Sequence, residues 1–499
     1  MTVDDHTSMA TETPSNLHSL TAVFDVVIVG AGISGINTAY HIQTGALQPT
    51  SYAILEARDN LGGTWDLFKY PGIRSDSDIF TFGFPWSPWD REKVLAPGEE
   101  ILAYMAESAA KFCIDKNIHF KHKVVSANWS SKQNLWVLDV QTRQGPTIIH
   151  ARFLALGTGY YDYDEPLQAH IPGIKTFQGP VVHPQFWPEN LDYTDKNIVV
   201  IGSGATAITI VPAMAEKAKH ITMLQRSPSY VGTVSQHDSL AKAERFILPS
   251  KLAWRVTRFR HIIVDYMFYY FCIFFPGFAR SLIRGETAKL LPPSVPVDPH
   301  FEPRYKPWGQ RFCACPDGDF FAALRSGKAS VVTDTIKEVT EDAIQLDSGE
   351  TLRPHIIITA TGLKLRLAGG IRVSVDGQAV DMSKKFIWKG FMIQDLPNLA
   401  IVLGYVNASW TLGAELTGKA IVRILRQIKR EGALSATPRL EHPERMQPRP
   451  FFQISATYVR DANSKIPQGG TGPWAHRWNY LPDYWKSVWG DIKTGLEYS

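Results

Sequence analysis

Phe24-Asp25-Val26-Val27-Ile28-Val29, running into Gly30-Ala31-Gly32-Ile33-Ser34-Gly35, is the stretch that decides the fold. The apolar run reads as a buried strand, the glycines as a tight turn, and the small and apolar residues recurring through His41 as a helix. A second apolar run, Tyr52-Ala53-Ile54-Leu55, ends at Glu56 and supplies the strand that returns beside the first. Parallel neighbours need a crossover, so the three pieces make one βαβ unit. Gly30 serves the turn, Gly32 the close approach of backbone to a pyrophosphate, and Gly35 the packing of helix on strand. The helix N-terminus offers unpaired N–H groups to the anion, and Glu56 can accept hydrogen bonds from both ribose hydroxyls.

The pattern occurs twice. Asn197-Ile198-Val199-Val200-Ile201 turns through Gly202-Ser203-Gly204-Ala205-Thr206-Ala207 and returns in Ile221 to Gln225. Here the place of the ribose carboxylate is taken by Gln225-Arg226-Ser227. A guanidinium suits a 2′-phosphate that an acid would repel. Gly202, Gly204, Ala207, Arg226 and Ser227 therefore point to NADPH, and Gly30, Gly32, Gly35 and Glu56 to an unphosphorylated adenosine. Two further apolar strands close on glycine, Phe153 to Gly157 and Ile356 to Gly362, and read as passages between two nucleotide domains. The expected fold class is α/β, two Rossmann-like dinucleotide-binding domains with a helical insertion in the second.

Composition narrows the partners. The 499 residues, 44% hydrophobic and 20% charged, suffice for two or three cored domains. A formal charge of +4 from 52 basic and 48 acidic residues is too small and too evenly spread to predict nucleic-acid binding. Four cysteines without a Cys-x-x-Cys pair argue against a disulfide framework, a metal site and a redox dithiol, and make a reducing, cytoplasmic compartment the default. Cys313 and Cys315, one residue apart on a strand, read as packing. Residues 1–23 read as a disordered tail without the pattern of a signal peptide.

Two dinucleotides in one chain imply hydride relay from a nicotinamide to a flavin, whose rings must meet in one cleft. With no dithiol near Gly62 to Asp78, the electrons must leave the flavin for another acceptor, and dioxygen is the obvious one. The expected division is an FAD-binding domain from residues 24–160 and 376–499, and an NADP-binding domain from 161–234 and 305–375. A helical insertion spans 235–304.

Phe177-Gln178-Gly179-Pro180-Val181-Val182-His183-Pro184-Gln185-Phe186-Trp187-Pro188 resembles the fingerprint of type I Baeyer–Villiger monooxygenases, placed just before the second glycine motif. Gly62 to Asp78, beginning Gly-Gly-Thr-Trp-Asp, and Gly404 to Leu412 look like the ethionamide-monooxygenase branch of these flavin-containing enzymes. The resemblance implies FAD and NADPH as cofactors, with Gly63, Thr64, Trp65, Asp66 and Tyr70 at the flavin. It implies Arg311 as the active-site arginine and Asp76 as the acid that positions it, although Asp78 competes on spacing. A fixed guanidinium can stabilise the flavin C4a-peroxide and the oxyanion formed when it attacks a carbonyl. His183 and Trp187 become coupling residues between the domains. The implied reaction inserts one atom of O2 into an apolar small molecule, a ketone giving an ester or lactone. Oxygenation of sulfur, nitrogen or an alkyl chain is the alternative, and a redox-sensing module without turnover is the alternative of another class.

The chain departs from the family pattern at three places. Gln310 stands where many members have Lys, His355 where an Asp is usual, and Gly413 where a Lys is expected. Selectivity for NADPH then rests on Arg226 and Ser227. Ten uninterrupted apolar or aromatic residues, Tyr266 to Phe275, are too few to span a bilayer. They read as a buried helix or the wall of an apolar pocket. Alternatively, with Arg255, Arg258, Arg260, Arg280 and Arg284 around them, residues 255–284 could rest on an anionic membrane surface.

Overall fold

The computed structural model describes residues 23–45, 50–310, 312–451 and 463–499. The expected tail, up to residue 22, and Arg311 lie outside the described residues.

The opening stretch forms the strand Val23–Val29 and the helix Ile33–Gly45, and the chain returns in the strand Tyr52–Leu55. Val26, Val27 and Ile28 are fully buried, which explains why the run is apolar without alternation: a parallel strand covered on both faces has no solvent side. Val26 to Val29 pair in parallel with Tyr52 to Leu55 on one side and with Phe153 to Leu156 on the other. The strand Leu399–Ile401 continues this parallel sheet beyond Leu154 to Leu156. The strand Gly145–Leu156 does two jobs, since its first half pairs antiparallel with Leu135–Thr142 and so carries a meander on one side of the sheet.

The second unit builds a separate five-stranded sheet, all of it parallel, in the order Ala329–Thr333, His220–Gln225, Asn197–Ile201, Ile356–Thr359 and Val181–Val182. The helix Ala205–Ala215 covers it. Each sheet has its own core, one gathered around Ile28, Ile54 and Phe153, the other around Val200, Ile208 and Ile358. The fold is therefore mixed α/β with two Rossmann-like sheets. The strands Arg372–Val375 and Gln378–Ala379 belong to the first sheet, through pairing with Lys123–Ser130. A boundary at residue 375 would cut between these two strands.

The two passages between the sheets pair with each other. Tyr161 faces Leu365 in a β-bridge, Asp162 N–H donates to Lys364 O at 2.8 Å, and Arg366 N–H donates to Tyr160 O at 2.9 Å. Buried Asp162 is held by Lys364 at 3.2 Å and Arg366 at 3.4 Å.

The insertion comprises the helices Ser239–Ile247, Ser250–Phe274 and Pro276–Leu290. The expectation that its aromatic stretch is a buried helix does not hold in full. Tyr269 and Cys272 are buried, whereas Met267, Ile273, Phe274 and Phe275 are exposed, because only one face of the long helix meets the body of the protein.

Candidate active site

A cavity of about 470 Å³ opens where the two sheets meet. Its floor is the first glycine turn with Gly157 and Gly159, and its far wall includes Ala205, Thr206 and Thr209 of the second unit's helix.

The glycines of the first turn divide into two kinds. A Cβ on Gly30 would lie 2.7 Å from Gly157 O, and one on Gly35 would lie 1.9 Å from Gly30 O. These two are required by the protein's own packing. A Cβ on Gly32 would meet nothing nearer than Gly63 Cα at 3.6 Å, so the protein itself leaves space there, facing the cavity. The second turn repeats this division: Gly202 is hemmed in by Ala360 O at 2.3 Å, and a Cβ on Gly204 would meet nothing within 4 Å. Space kept at the middle glycine, over a helix N-terminus, is what the close approach of a pyrophosphate requires. Ala207 is fully buried and takes the packing role of the third glycine.

Glu56 lines the cavity and is 6% exposed. Its Oε2 accepts the Ala31 N–H at 2.7 Å and its Oε1 the Arg58 N–H at 2.9 Å. Burial pushes its pKa up, and these amides with the Arg58 charge oppose that. Each oxygen has further lone pairs to offer a ribose. Gly63, Thr64, Trp65 and Tyr70 also line the cavity, as the flavin assignment expects. Asp66 does not. It is buried beneath the wall and holds Arg58, with Nη2 at 2.7 Å and Nε at 3.2 Å from Oδ2, so it acts on the site by positioning a guanidinium. Arg58 itself lines the cavity and was missed in the sequence, although its place two residues after Glu56 was a usable signal. The ring pair Tyr160 and Trp410, stacked at 4.8 Å, is a second omission, brought together from distant parts of the chain.

The wall nearest the second unit comes from Arg74, Ser75, Asp76 and Ser77. Arg74 pairs with Asp319 at 2.5 Å and ties this loop to the second half of the molecule. Tyr70 hydrogen-bonds Thr206 across the same boundary, and burial pushes its phenol up to about 12. Asp76 and Asp78 part company. Asp76 lines the cavity, but Asp78 does not. Asp78 caps the short helix Ile79–Phe82, accepting the Thr81 N–H at 2.9 Å, and faces His261 Nδ1 at 3.4 Å. Arg311, outside the described residues, precedes the strand Phe312–Pro316, whose Ala314 lines the cavity.

His183 sits at the joint between the passages. Its Nδ1 accepts the Gln185 N–H at 3.3 Å, which leaves Nε2 to donate to Gly362 O at 3.3 Å. Burial lowers its pKa, against the pull of that carbonyl. Gln185 in turn donates to Asp162 O at 2.6 Å, while Trp187 packs on the second core. Of the three departures, His355 Nδ1 accepts the Asn197 N–H at 3.0 Å and is structural. Gly413 is forced by packing, since a Cβ there would lie 2.7 Å from Leu403 O. Cys313 and Cys315 are both buried.

Arg226 and Ser227 lie exposed after the strand His220–Gln225, outside the main cavity. Ser203 of the second glycine turn fastens this loop, donating to Ser227 O at 2.9 Å. Buried Gln225 is occupied by His300 O at 2.7 Å and Thr333 Oγ1 at 2.9 Å, so it is not open to a ribose. The charge left facing solvent is Arg226. Changing Arg226 to Ala should raise KM for NADPH by about tenfold, about 1.4 kcal/mol, and barely move KM for NADH. Steady-state kinetics with both coenzymes would decide, and an equal loss for the two would remove the 2′-phosphate role.

One cavity lined by the first glycine turn and by Ala205 and Thr206 at the start of the second unit's helix is the arrangement of a two-nucleotide oxidoreductase. A family model described as pyridine nucleotide-disulphide oxidoreductase matches residues 27–241. The chain is 45% identical over 468 residues to the FAD-containing monooxygenase EthA of Mycobacterium tuberculosis (strain ATCC 25618 / H37Rv), covering 93% of this chain and 95% of that one. It is 43% identical to the probable FAD-binding monooxygenase AlmA of Acinetobacter baylyi, covering 92% of each. The fold is similar to the crystal structure of OTEMO in complex with FAD and NADP, with a TM-score of 0.72 at 18% identity over 95% of this chain and 99% of that one. The chain belongs to the flavin-containing monooxygenase family that includes EthA and AlmA.

Proposed function

We propose that the protein is an NADPH-consuming, FAD-dependent Baeyer–Villiger monooxygenase that inserts one oxygen atom of O2 into an apolar ketone, giving an ester or lactone. One observation carries this reading: a single cavity reaches from the first glycine turn and Glu56, past Asp76, to Ala205 and Thr206 of the second nucleotide unit. In the first unit Gly30, Gly32, Gly35 and Glu56 would hold the pyrophosphate and ribose of FAD. Gly63, Thr64, Trp65 and Tyr70 would flank its ring, with Asp66 fixing Arg58. In the second unit Gly204 and Ala207 would seat the pyrophosphate of NADPH, and Arg226 with Ser227 its 2′-phosphate. FAD and NADPH held there would supply the reducing chemistry directed at dioxygen.

The chain's own groups do the rest. Asp76 is half-buried in the cavity wall; in this reading it would orient Arg311, whose guanidinium would stabilise negative charge developing on oxygen. Trp65, Phe82, Tyr160 and Trp410 line the cavity and exclude water from it. His183, through Gly362, and Trp187 couple the linker to the second sheet. In this reading residues 24–160 and about 366–499 form the FAD domain and 161–234 with 305–365 the NADP domain. The protein works in the cytoplasm, with residues 255–284 in peripheral contact with a membrane.

The test supplies NADPH and isotopically heavy O2 with linear and cyclic ketones and with sulfides, and reads products by mass spectrometry. Esters or lactones carrying one heavy oxygen are expected. Labelled sulfoxides without any ester would move the assignment to heteroatom oxygenation, and a flavin-loaded protein that never consumes NADPH would be a binding module.

A further inference from the structure

The helix Ser250–Phe274 is packed the wrong way round for a surface in water. Its inner face buries Thr257 and Arg258 beside Ala253, Trp254, Ile262, Tyr269 and Cys272. The Arg258 guanidinium donates to the carbonyls of Phe80, Thr81 and Gly83 and pairs with Glu415 at 3.3 Å. The outer face carries Leu252, Val256, Phe259, Met267 and Phe274, all exposed and all on one stripe at helical spacing. A surface helix ordinarily turns such a stripe inward.

The chain then bends by 114° into Pro276–Leu290, and the stripe continues on Phe275, Phe278 and Leu282. Phe274, Phe275 and Phe278 at the elbow are 68%, 61% and 67% exposed. Leu240, Phe246 and Ile247 of the preceding helix add to the same insertion. Thirteen of the twenty large apolar side chains exposed among the described residues lie between 240 and 282, so this is a concentrated patch and not ordinary scatter.

Charge identifies the occupant. Residues 239–290 contain nine Lys or Arg against three Asp or Glu. Lys242, Arg245, Lys251 and Arg255 are exposed without an acidic partner among the described residues. No single described helix is long and apolar enough to cross a membrane. A second copy of the chain would bring these cations face to face, which repels, whereas an anionic lipid surface attracts them and accepts the phenylalanines. We propose that the outer face of the insertion, with the Phe274–Phe278 elbow as its most deeply inserted point, docks on an anionic bilayer. The proposal rests on the peripheral contact placed above at residues 255–284 and is independent of the oxygenation chemistry.

The experiment co-sediments the flavin-loaded protein with vesicles of phosphatidylcholine alone and of equal parts phosphatidylcholine and phosphatidylglycerol. Binding to the mixed vesicles should exceed binding to the neutral ones by about tenfold and fall at high salt. Phe274→Ser with Phe278→Ser should weaken it about tenfold, and Lys251→Glu with Arg255→Glu should remove the preference for the anionic vesicles. NADPH oxidation in buffer should be unchanged in both variants, so loss of docking and loss of chemistry are read separately. Wild-type protein left in the supernatant with both vesicles would overturn the proposal. So would unchanged binding by the phenylalanine pair variant, or a solution dimer that this variant splits, which would make a second copy the occupant.

Discussion

Changing Gly32 to Ala should give a folded protein that purifies almost without flavin colour. The nearest protein atom to the new Cβ would be Gly63 Cα at 3.6 Å, an ordinary contact, so the fold itself tolerates the methyl group. What it would obstruct is the approach of a pyrophosphate to the backbone over the helix N-terminus. An affinity loss of roughly 100-fold, about 2.7 kcal/mol, is expected for FAD. The ratio of flavin to protein absorbance measures it, with a thermal melt of the flavin-free protein as the control for folding. Gly35→Ala is the contrasting variant. Its Cβ would sit 1.9 Å from Gly30 O, and the first unit should not assemble. Full flavin occupancy in Gly32→Ala would mean that the cradle binds something else.

Arg311→Ala should lower oxygenated product by about 10²- to 10³-fold while leaving bound flavin intact, the usual cost of removing a donor aimed at developing negative charge. Asp76→Ala should act in the same direction through the loss of orientation, and Asp76→Asn should recover part of it by keeping a polar group there. Asp78→Ala should behave differently. It removes the cap that receives the Thr81 N–H and should cost about 1 kcal/mol of stability with little change in product per flavin. Product yield per flavin and thermal melts of the three variants distinguish the roles. The assignment fails if Asp78→Ala abolishes product with its flavin in place and Asp76→Ala does not.

Much of the first nucleotide site was legible because its requirements are local. A turn that must pass under a carbonyl at Gly30 and Gly35 excludes side chains, and that exclusion is written directly as glycine. Other parts were not legible. Asp66 lies within a stretch that resembles a flavin loop, yet it is turned into the wall to hold Arg58, since a carboxylate this buried needs a cation. Asp76 and Asp78 have almost the same neighbours in sequence. The difference arises because Asp78 begins a helix and spends its carboxylate on the cap. The expected boundary at residue 375 missed the hairpin 372–379, because edge strands are assigned by what they pair with and not by their own composition.

The sequence by itself determined two glycine-turn units, the acid Glu56 after one and the cation Arg226 after the other, and the absence of a Cys-x-x-Cys dithiol. Each follows from short-range rules of spacing and residue type. Only the tertiary structure decided that the two units share a cavity, that Asp76 and not Asp78 lines it, and that the aromatic helix turns Phe259 and Phe274 outward. Those outcomes depend on which face of one element meets another far along the chain. Arg258 shows the physical reason: it is drawn inward by three backbone carbonyls and Glu415, and the stripe opposite it is thereby left facing out.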